Sequence, residues 1–137
     1  PEEHRGEVAV ATVHGAKGLE WDRVYLLSVS NYDFPSGSED EFTPAQKWFV
    51  RGRLDLQAET LAQLDIAVDE SGEYEEGRAT ASARLDYVRE RLRLFYVGIT
   101  RARKELLVGS NIGPYNKNRP AESFLALQSY LTGGRGD

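Results

Sequence analysis

The feature that most constrains the fold is a long stretch of helical periodicity over residues 81–102. Its apolar side chains recur at steps of three and four residues, which places them along one side of an α-helix. These side chains are Leu85, Val88, Leu92, Phe95, Tyr96 and Ile99. The opposite side of the helix is basic. We therefore predict an amphipathic helix from Ala81 to about Ala102 that packs its apolar side against a core.

Three short apolar runs, at residues 7–13, 24–29 and 106–108, are typical of buried β-strands. The first run lacks strict alternation of apolar and polar residues, as expected of a strand that is covered on both faces. A further helix is predicted over residues 121–131. Strands interleaved with helices indicate an α/β fold with a mostly parallel sheet flanked by helices.

The segment between the second run and the long helix has a different composition. Thr43-Pro44 predicts the start of a helix with Trp48 and Phe49 on one face, and Gly52 interrupts that helix. A second apolar stripe follows at Leu54, Ala58, Leu61 and Ala62. Five acids and two glycines in residues 69–78 predict a loop there, and we expect it to be among the most mobile parts of the chain.

Charge and composition exclude several classes of protein. The 137 residues carry a net charge of −5, which argues against a polycation that coats nucleic acid. The charges are unevenly distributed along the chain. Residues 39–76 contain eleven acids and three bases, whereas residues 78–104 contain eight bases and two acids. A basic helix side is often simply solvated. The chain contains no Cys and only two His, so we expect no disulfide scaffold and no metal site.

No apolar run is long enough to cross a membrane, and the first residues lack the features of a signal peptide. We therefore expect a cytoplasmic protein. The chain also contains no Met, and we expect it to be a piece of a longer protein.

A first candidate site lies where the first apolar run ends, in the sequence Thr12-Val13-His14-Gly15-Ala16-Lys17-Gly18-Leu19-Glu20-Trp21. Open α/β sheets bind ligands at such strand ends. The glycines allow the backbone to approach a ligand closely, and N–H groups of a short helix that begins near Ala16 would face an anion. The alternative is an ordinary turn.

A second candidate site lies at the end of the long helix, within residues 90–103. Arg101, beside Thr100, can extend a rigid fork of donors toward a phosphate, as an arginine finger does. The alternative is that Arg101, Arg103 and Lys104 only interact favourably with the helix dipole.

Together and in this order, the two segments resemble motifs V and VI of UvrD/Rep-type superfamily 1 helicases. The second motif is carried by Glu90-x-Leu92-Arg93-Leu94-x-Tyr96-Val97-Gly98-x-Thr100-Arg101-Ala102, and its Leu-Arg-Leu form looks like that of the RecB and AddA branch. The resemblance implies that residues 1–137 are the C-terminal part of the second RecA-like, P-loop NTPase-type motor domain. The acidic stretch at about 39–80 would be an insertion into it.

The resemblance also implies roles for individual residues. Arg101 looks like the arginine that reaches the γ-phosphate of ATP, and Glu20 like the glutamate that binds the ribose. Gly18 would permit close approach of the backbone beside Glu20. Thr12 and His14 look like residues that face single-stranded DNA, whereas Lys17 could serve either side.

The chain contains no Gly-x-x-x-x-Gly-Lys-Ser/Thr loop and no apolar strand that ends in Asp-Glu. ATP with Mg²⁺ would therefore be shared with an upstream N-terminal motor domain of the same protein, and this piece alone should neither hydrolyse ATP nor unwind DNA. The implied function is that of a 3′-to-5′ ATP-dependent DNA helicase or translocase. Two alternatives remain open: a non-catalytic protein-interaction module on a helicase-like scaffold, and the motor part of a helicase–nuclease. An unpaired sheet edge would also allow the piece to self-associate.

Overall fold

The computed structural model describes residues 6–36, 49–50, 54–69, 72–113 and 118–133. The secondary-structure elements within these ranges are, in chain order, β1 Trp21–Leu26, β2 Phe49–Val50, β3 Leu54–Asp55, α1 Leu56–Asp69, α2 Arg78–Ile99, β4 Ala102–Val108 and α3 Glu122–Gly133.

A parallel pair of strands, β1 and β4, carries the centre of the fold. The pair runs from Trp21 opposite Ala102 to Leu26 opposite Val108, and the chain between the two strands passes through α1 and α2. The predicted second and third strands are therefore confirmed, although both begin earlier than the apolar runs indicate. Helices that alternate with a parallel strand pair confirm the α/β class.

The first predicted strand is not formed, because residues 7–12 have no regular structure and residues 13–18 form turns. Val8 is 89% exposed and Val10 is 95% exposed. A strand is stabilised by hydrogen bonds to a neighbouring strand. Within the described ranges no strand pairs with residues 7–12, so the apolar run alone does not make a strand.

Helix α2 confirms the long helix, with its start three residues earlier and its end at Ile99. Its buried side chains differ from the predicted stripe. Phe95 is buried as predicted, and so are Leu94 and Gly98, whereas Leu85, Leu92 and Tyr96 are each more than half exposed. The reason is that the described strands and loops cover only the side of the helix that contains Phe95 and Gly98.

The acidic segment contains one predicted helix and one unexpected strand pair. Residues 43–48, where the first helix was predicted to begin, lie outside the described residues, and Phe49 belongs to β2 rather than to a helix. The hydrogen bonds of the antiparallel β2–β3 pair account for this difference. Helix α1 confirms the second apolar stripe from Leu56 onward, while Leu54 lies in β3.

Residues 72–77 form no helix or strand, as predicted for the loop. Tyr74 nevertheless donates a hydrogen bond from its hydroxyl group to Glu59 on α1, at 2.8 Å. The mobility expected of residues 69–78 remains a prediction.

A buried carboxylate connects α1 to the start of α2. Glu59 is only 4% exposed, and one of its oxygens accepts hydrogen bonds from Thr80 N at 2.8 Å and from Thr80 Oγ1 at 2.6 Å. Thr80 belongs to the first turn of α2, where backbone N–H groups have no partner within the helix. Glu59 therefore caps α2 from a different helix.

The core lies between the strand pair, the C-terminal half of α2 and the start of α3. Its buried members are Leu26, Val29, Phe34, Leu94, Phe95 and Ala121. The rings of Phe34 and Phe95 meet edge to face with centroids 5.7 Å apart. Helix α3 confirms the helix predicted over residues 121–131, and Phe124 and Leu127 pack against this core. No helix in the described part of the chain is both long and apolar enough to cross a bilayer.

Candidate functional site

The segment before β1 folds into a compact turn held by its own backbone. Thr12 Oγ1 accepts a hydrogen bond from Gly15 N at 3.1 Å, and Thr12 O accepts one from Ala16 N at 3.0 Å. Lys17 N donates to the carbonyl of His14 at 3.3 Å. Gly18 has a φ of +83°, a left-handed conformation that favours glycine and turns the chain toward β1.

This turn corrects the prediction of an anion-facing helix near Ala16. The N–H groups of residues 15, 16 and 17, and also that of Leu19, donate within the turn rather than outward. A donor that is already used cannot bind an anion without breaking its bond. The segment offers a ligand its side chains and Gly18, not a row of free backbone donors.

Arg101 lies in the turn between α2 and β4 and holds both motifs together. Its Nε donates to the carbonyl of Val97 at 3.0 Å, one terminal nitrogen donates to the carbonyl of Leu19 at 3.1 Å, and the other donates to Thr100 Oγ1 at 3.1 Å. The backbone adds a fourth bond, because Trp21 N donates to the carbonyl of Arg101 at 2.9 Å. The two motifs, which are 82 positions apart between Leu19 and Arg101, thus meet at one residue.

The hydrogen bonds of Arg101 leave it able to bind an anion. A guanidinium has five N–H donors, and the three bonds to described residues use one on each nitrogen. Each terminal nitrogen therefore keeps one donor for which the described residues supply no acceptor. The side chain is half-buried, so its cation is fixed in direction yet still reaches the surface.

The other predicted site residues lie on the same segment and point into solvent. Thr12, His14, Lys17, Gly18 and Glu20 are all exposed. Glu20 lies between two residues that bond to Arg101. The carbonyl of Leu19 accepts from the Arg101 guanidinium, and the amide of Trp21 donates to the Arg101 carbonyl. Among the described residues, no hydrogen bond joins His14 or Lys17 to Glu20 or Arg101. Glu20 is therefore closer to Arg101, through its two chain neighbours, than the predicted DNA-facing residues are.

Sequence reasoning missed a set of charged residues beside this site. The sequence predicted Arg103 near the end of a helix, but it lies on β4, and its Nε is 3.0 Å from Asp22 Oδ1. Lys104 Nζ is 2.6 Å from the other oxygen of Asp22. The hydrogen bond from Lys104 is the main reason that the pKa of Asp22 lies below its ordinary value. The available signal was a pattern of opposite charges at positions 22–23 and 103–105.

The residues present fit part of a nucleotide site. Arg101 offers donors to a phosphate, and Glu20 offers a carboxylate that can accept from hydroxyl groups. Within the described ranges, no three His, Asp or Glu side chains converge as metal ligands.

A comparison with protein families identifies the chain's relatives. The family model of the UvrD-like helicase C-terminal domain matches residues 1–111, which include both motifs and all elements up to β4. A search of curated proteins gave no significant match.

Proposed function

The chain belongs to the family of UvrD-like helicase C-terminal domains, and from this premise we propose that it is the C-terminal part of the second RecA-like motor domain of an ATP-dependent DNA helicase. The motor moves on single-stranded DNA in the 3′-to-5′ direction. The observation that carries the proposal is the bond from the Arg101 guanidinium to the Leu19 carbonyl, because it joins the two motifs into one site.

Arg101 acts as the arginine finger in this proposal. ATP bound with Mg²⁺ supplies the phosphoryl group, and the upstream motor domain holds most of it. The two terminal N–H donors of Arg101 for which the described residues supply no acceptor would bind the γ-phosphate, where the guanidinium would offset negative charge that develops during transfer. Anchoring to the Val97 and Leu19 carbonyls supports this role, because a preorganised cation needs no rearrangement during the reaction.

Glu20 binds the ribose hydroxyl groups, and Gly18 allows the backbone to approach the nucleotide beside it. Thr12, His14 and Lys17 contact the phosphate backbone of single-stranded DNA. All five residues are exposed on one segment, so each is accessible to a ligand. The compact turn that contains Thr12 continues directly into the residues that hold Arg101, so DNA contact and nucleotide contact share one rigid segment.

The test is the variant Arg101→Ala in the protein that also carries the upstream motor domain. We expect the rate of ATP hydrolysis stimulated by single-stranded DNA to fall by ~10³-fold or more, while ATP binding through the upstream domain persists. Loss of three hydrogen bonds, at ~0.5–1.5 kcal/mol each, should also destabilise the fold by ~1.5–4.5 kcal/mol, so activity is measured well below the unfolding temperature.

Two variants make the result specific. Arg89→Ala removes an exposed arginine of α2 that pairs with Asp86 on that helix, and its activity should stay near that of the unchanged protein. Arg101→Lys keeps the charge but not the fork, and it should remain severely impaired because lysine cannot bind Leu19 and a phosphate together. Unchanged DNA-stimulated ATPase activity in Arg101→Ala would refute the finger. A lack of DNA-stimulated ATPase activity in the unchanged protein would instead favour a non-catalytic interaction module.

A further inference from the structure

The pairing of β1 with β4 contains an irregularity next to Arg101. Trp21 lies opposite Ala102, but Arg23 lies opposite Glu105. Between these pairs β1 has one residue, Asp22, and β4 has two, Arg103 and Lys104. This extra residue is a β-bulge, a feature that is over-represented beside active sites because it redirects side chains.

The charges at the bulge match the offset pairing. One carboxylate oxygen of Asp22 forms an ion pair with Arg103, and the other forms one with Lys104. In addition, Arg23 Nε is 2.6 Å from a carboxylate oxygen of Glu105. Without the bulge, and with Arg23 still opposite Glu105, Asp22 would lie opposite Lys104 alone and Trp21 would lie opposite Arg103. The bulge brings both cations within reach of the Asp22 carboxylate. Asp22 therefore favours the bulged register.

The bulge decides where Arg101 lies. A shift of one residue along a strand is ~3.3 Å. If β4 lost the extra residue while the rest of the ladder stayed in place, Arg101 would move by about that distance relative to Trp21. Its bonds with Trp21 N and with the Leu19 carbonyl would then be lost. A displacement of only ~1 Å at a reacting centre costs ~10²-fold in rate.

We propose that Asp22 is a positioning residue for Arg101: it holds Arg103 and Lys104 across the bulge and so fixes the register that places the Arg101 guanidinium against the Leu19–Trp21 segment. This inference rests on the proposed role of Arg101 in ATP hydrolysis. Asp22 itself touches no nucleotide. Exposed ion pairs contribute only ~0–1 kcal/mol each to folding, so loss of the Asp22 carboxylate should change global stability little.

The experiment compares Asp22→Asn with Asp86→Asn in the protein that carries both motor domains. Asp86 also makes an exposed ion pair with an arginine, but on α2 and away from the bulge. Molecules of Asp22→Asn that keep the bulged register should remain active, so the loss is smaller than a complete shift would cause. We expect Asp22→Asn to lower kcat for DNA-stimulated ATP hydrolysis about tenfold, with KM for ATP within about twofold and an unfolding temperature equal to that of Asp86→Asn. Asp22→Glu, which can still reach both cations, should recover most of kcat.

Hydrogen exchange at the Trp21 amide gives a readout without turnover, and Asp22→Asn should accelerate it. Equal kcat in Asp22→Asn and Asp86→Asn, beside a large loss in Arg101→Ala, would overturn the role of Asp22 and leave the finger intact. Normal activity in Arg101→Ala would overturn both. Unchanged Trp21 exchange in Asp22→Asn would also overturn the proposal, because the register would then not depend on Asp22.

Discussion

Removal of the Glu59 carboxylate should destabilise the contact between α1 and α2. Glu59 accepts two hydrogen bonds from Thr80 and one from Tyr74, and it is almost fully buried. In Glu59→Ala the amide and hydroxyl of Thr80 lose their acceptor in a place that water does not reach. Thr80 Oγ1 keeps its bond from Asp55 N, in which it is the acceptor.

The expected magnitude follows from these contacts. Loss of a helix cap costs ~1 kcal/mol, and a buried donor left without an acceptor costs ~1–3 kcal/mol. We therefore expect Glu59→Ala to lower the free energy of unfolding by ~2–4 kcal/mol. Glu59→Gln keeps an acceptor for Thr80 and should cost about half as much, while Tyr74→Phe removes one bond and should cost ~0.5–1.5 kcal/mol.

The dependence of stability on pH gives a second test of the role of Glu59. The hydrogen bond from Thr80 Oγ1, with those of Tyr74 and the helix backbone, outweighs burial and lowers the pKa of Glu59 from 4.5 to about 2. A lowered folded-state pKa gives stability that is complete above the unfolded-state value and is lost as the pH falls through the folded-state value. The advantage of the unchanged chain over Glu59→Gln should therefore shrink as the pH falls from about 4.5 to about 2.

Urea unfolding followed by circular dichroism measures both effects. Glu73→Ala, which removes an exposed carboxylate from the neighbouring loop, is the control and should change stability by less than ~0.5 kcal/mol. If Glu59→Ala and Glu73→Ala unfold at the same urea concentration, Glu59 does not cap α2. Parallel pH profiles for the unchanged chain and Glu59→Gln would contradict the acid argument.

Two further predictions concern close packing and backbone strain. A Cβ at Gly98 would lie 3.1 Å from both Cδ atoms of Leu26, so Gly98→Val should destabilise the chain by ~1–3 kcal/mol and Gly98→Ala by less, as measured by urea unfolding. Ser28 has a φ of +61°, which side chains rarely adopt. Ser28→Gly should raise the unfolding temperature, offset in part by loss of the bond from Asn111, and Ser28→Val should lower it by the equivalent of ~1–2 kcal/mol. Similar unfolding temperatures for these two variants would contradict the strain argument.

Local patterns in the sequence predicted the elements that form by local rules. Helix α2 follows from apolar residues at helical spacing, and β4 follows from a short apolar run. The parallel pairing follows from the order of strands and helices. The apolar stripe did not predict which side of α2 is buried, because Leu85 and Leu92 satisfy the same spacing as Phe95 and only the neighbouring elements distinguish them.

Features that depend on distant partners were missed. The run at residues 7–13 has strand-like composition, but composition does not supply a neighbouring strand. Glu59 looks like an ordinary surface acid on α1 until Thr80 is placed beside it. The contact between Leu19 and Arg101 could be approached only through the resemblance of two motifs. The opposite charges around Asp22 were visible in the sequence, but the bulge was not predicted, since an offset between strands is a property of the pair.

Helix α2 also offers a suitable position for attaching a spectroscopic label. Its 22 residues span about 33 Å, with Thr80 near one end and Arg101 two residues beyond the other. Ser82 is exposed in the first turns, far from the site. A fluorophore attached there would report the orientation of the whole helix, and with it the direction of its Arg101 end, without altering any residue proposed to contact ATP or DNA.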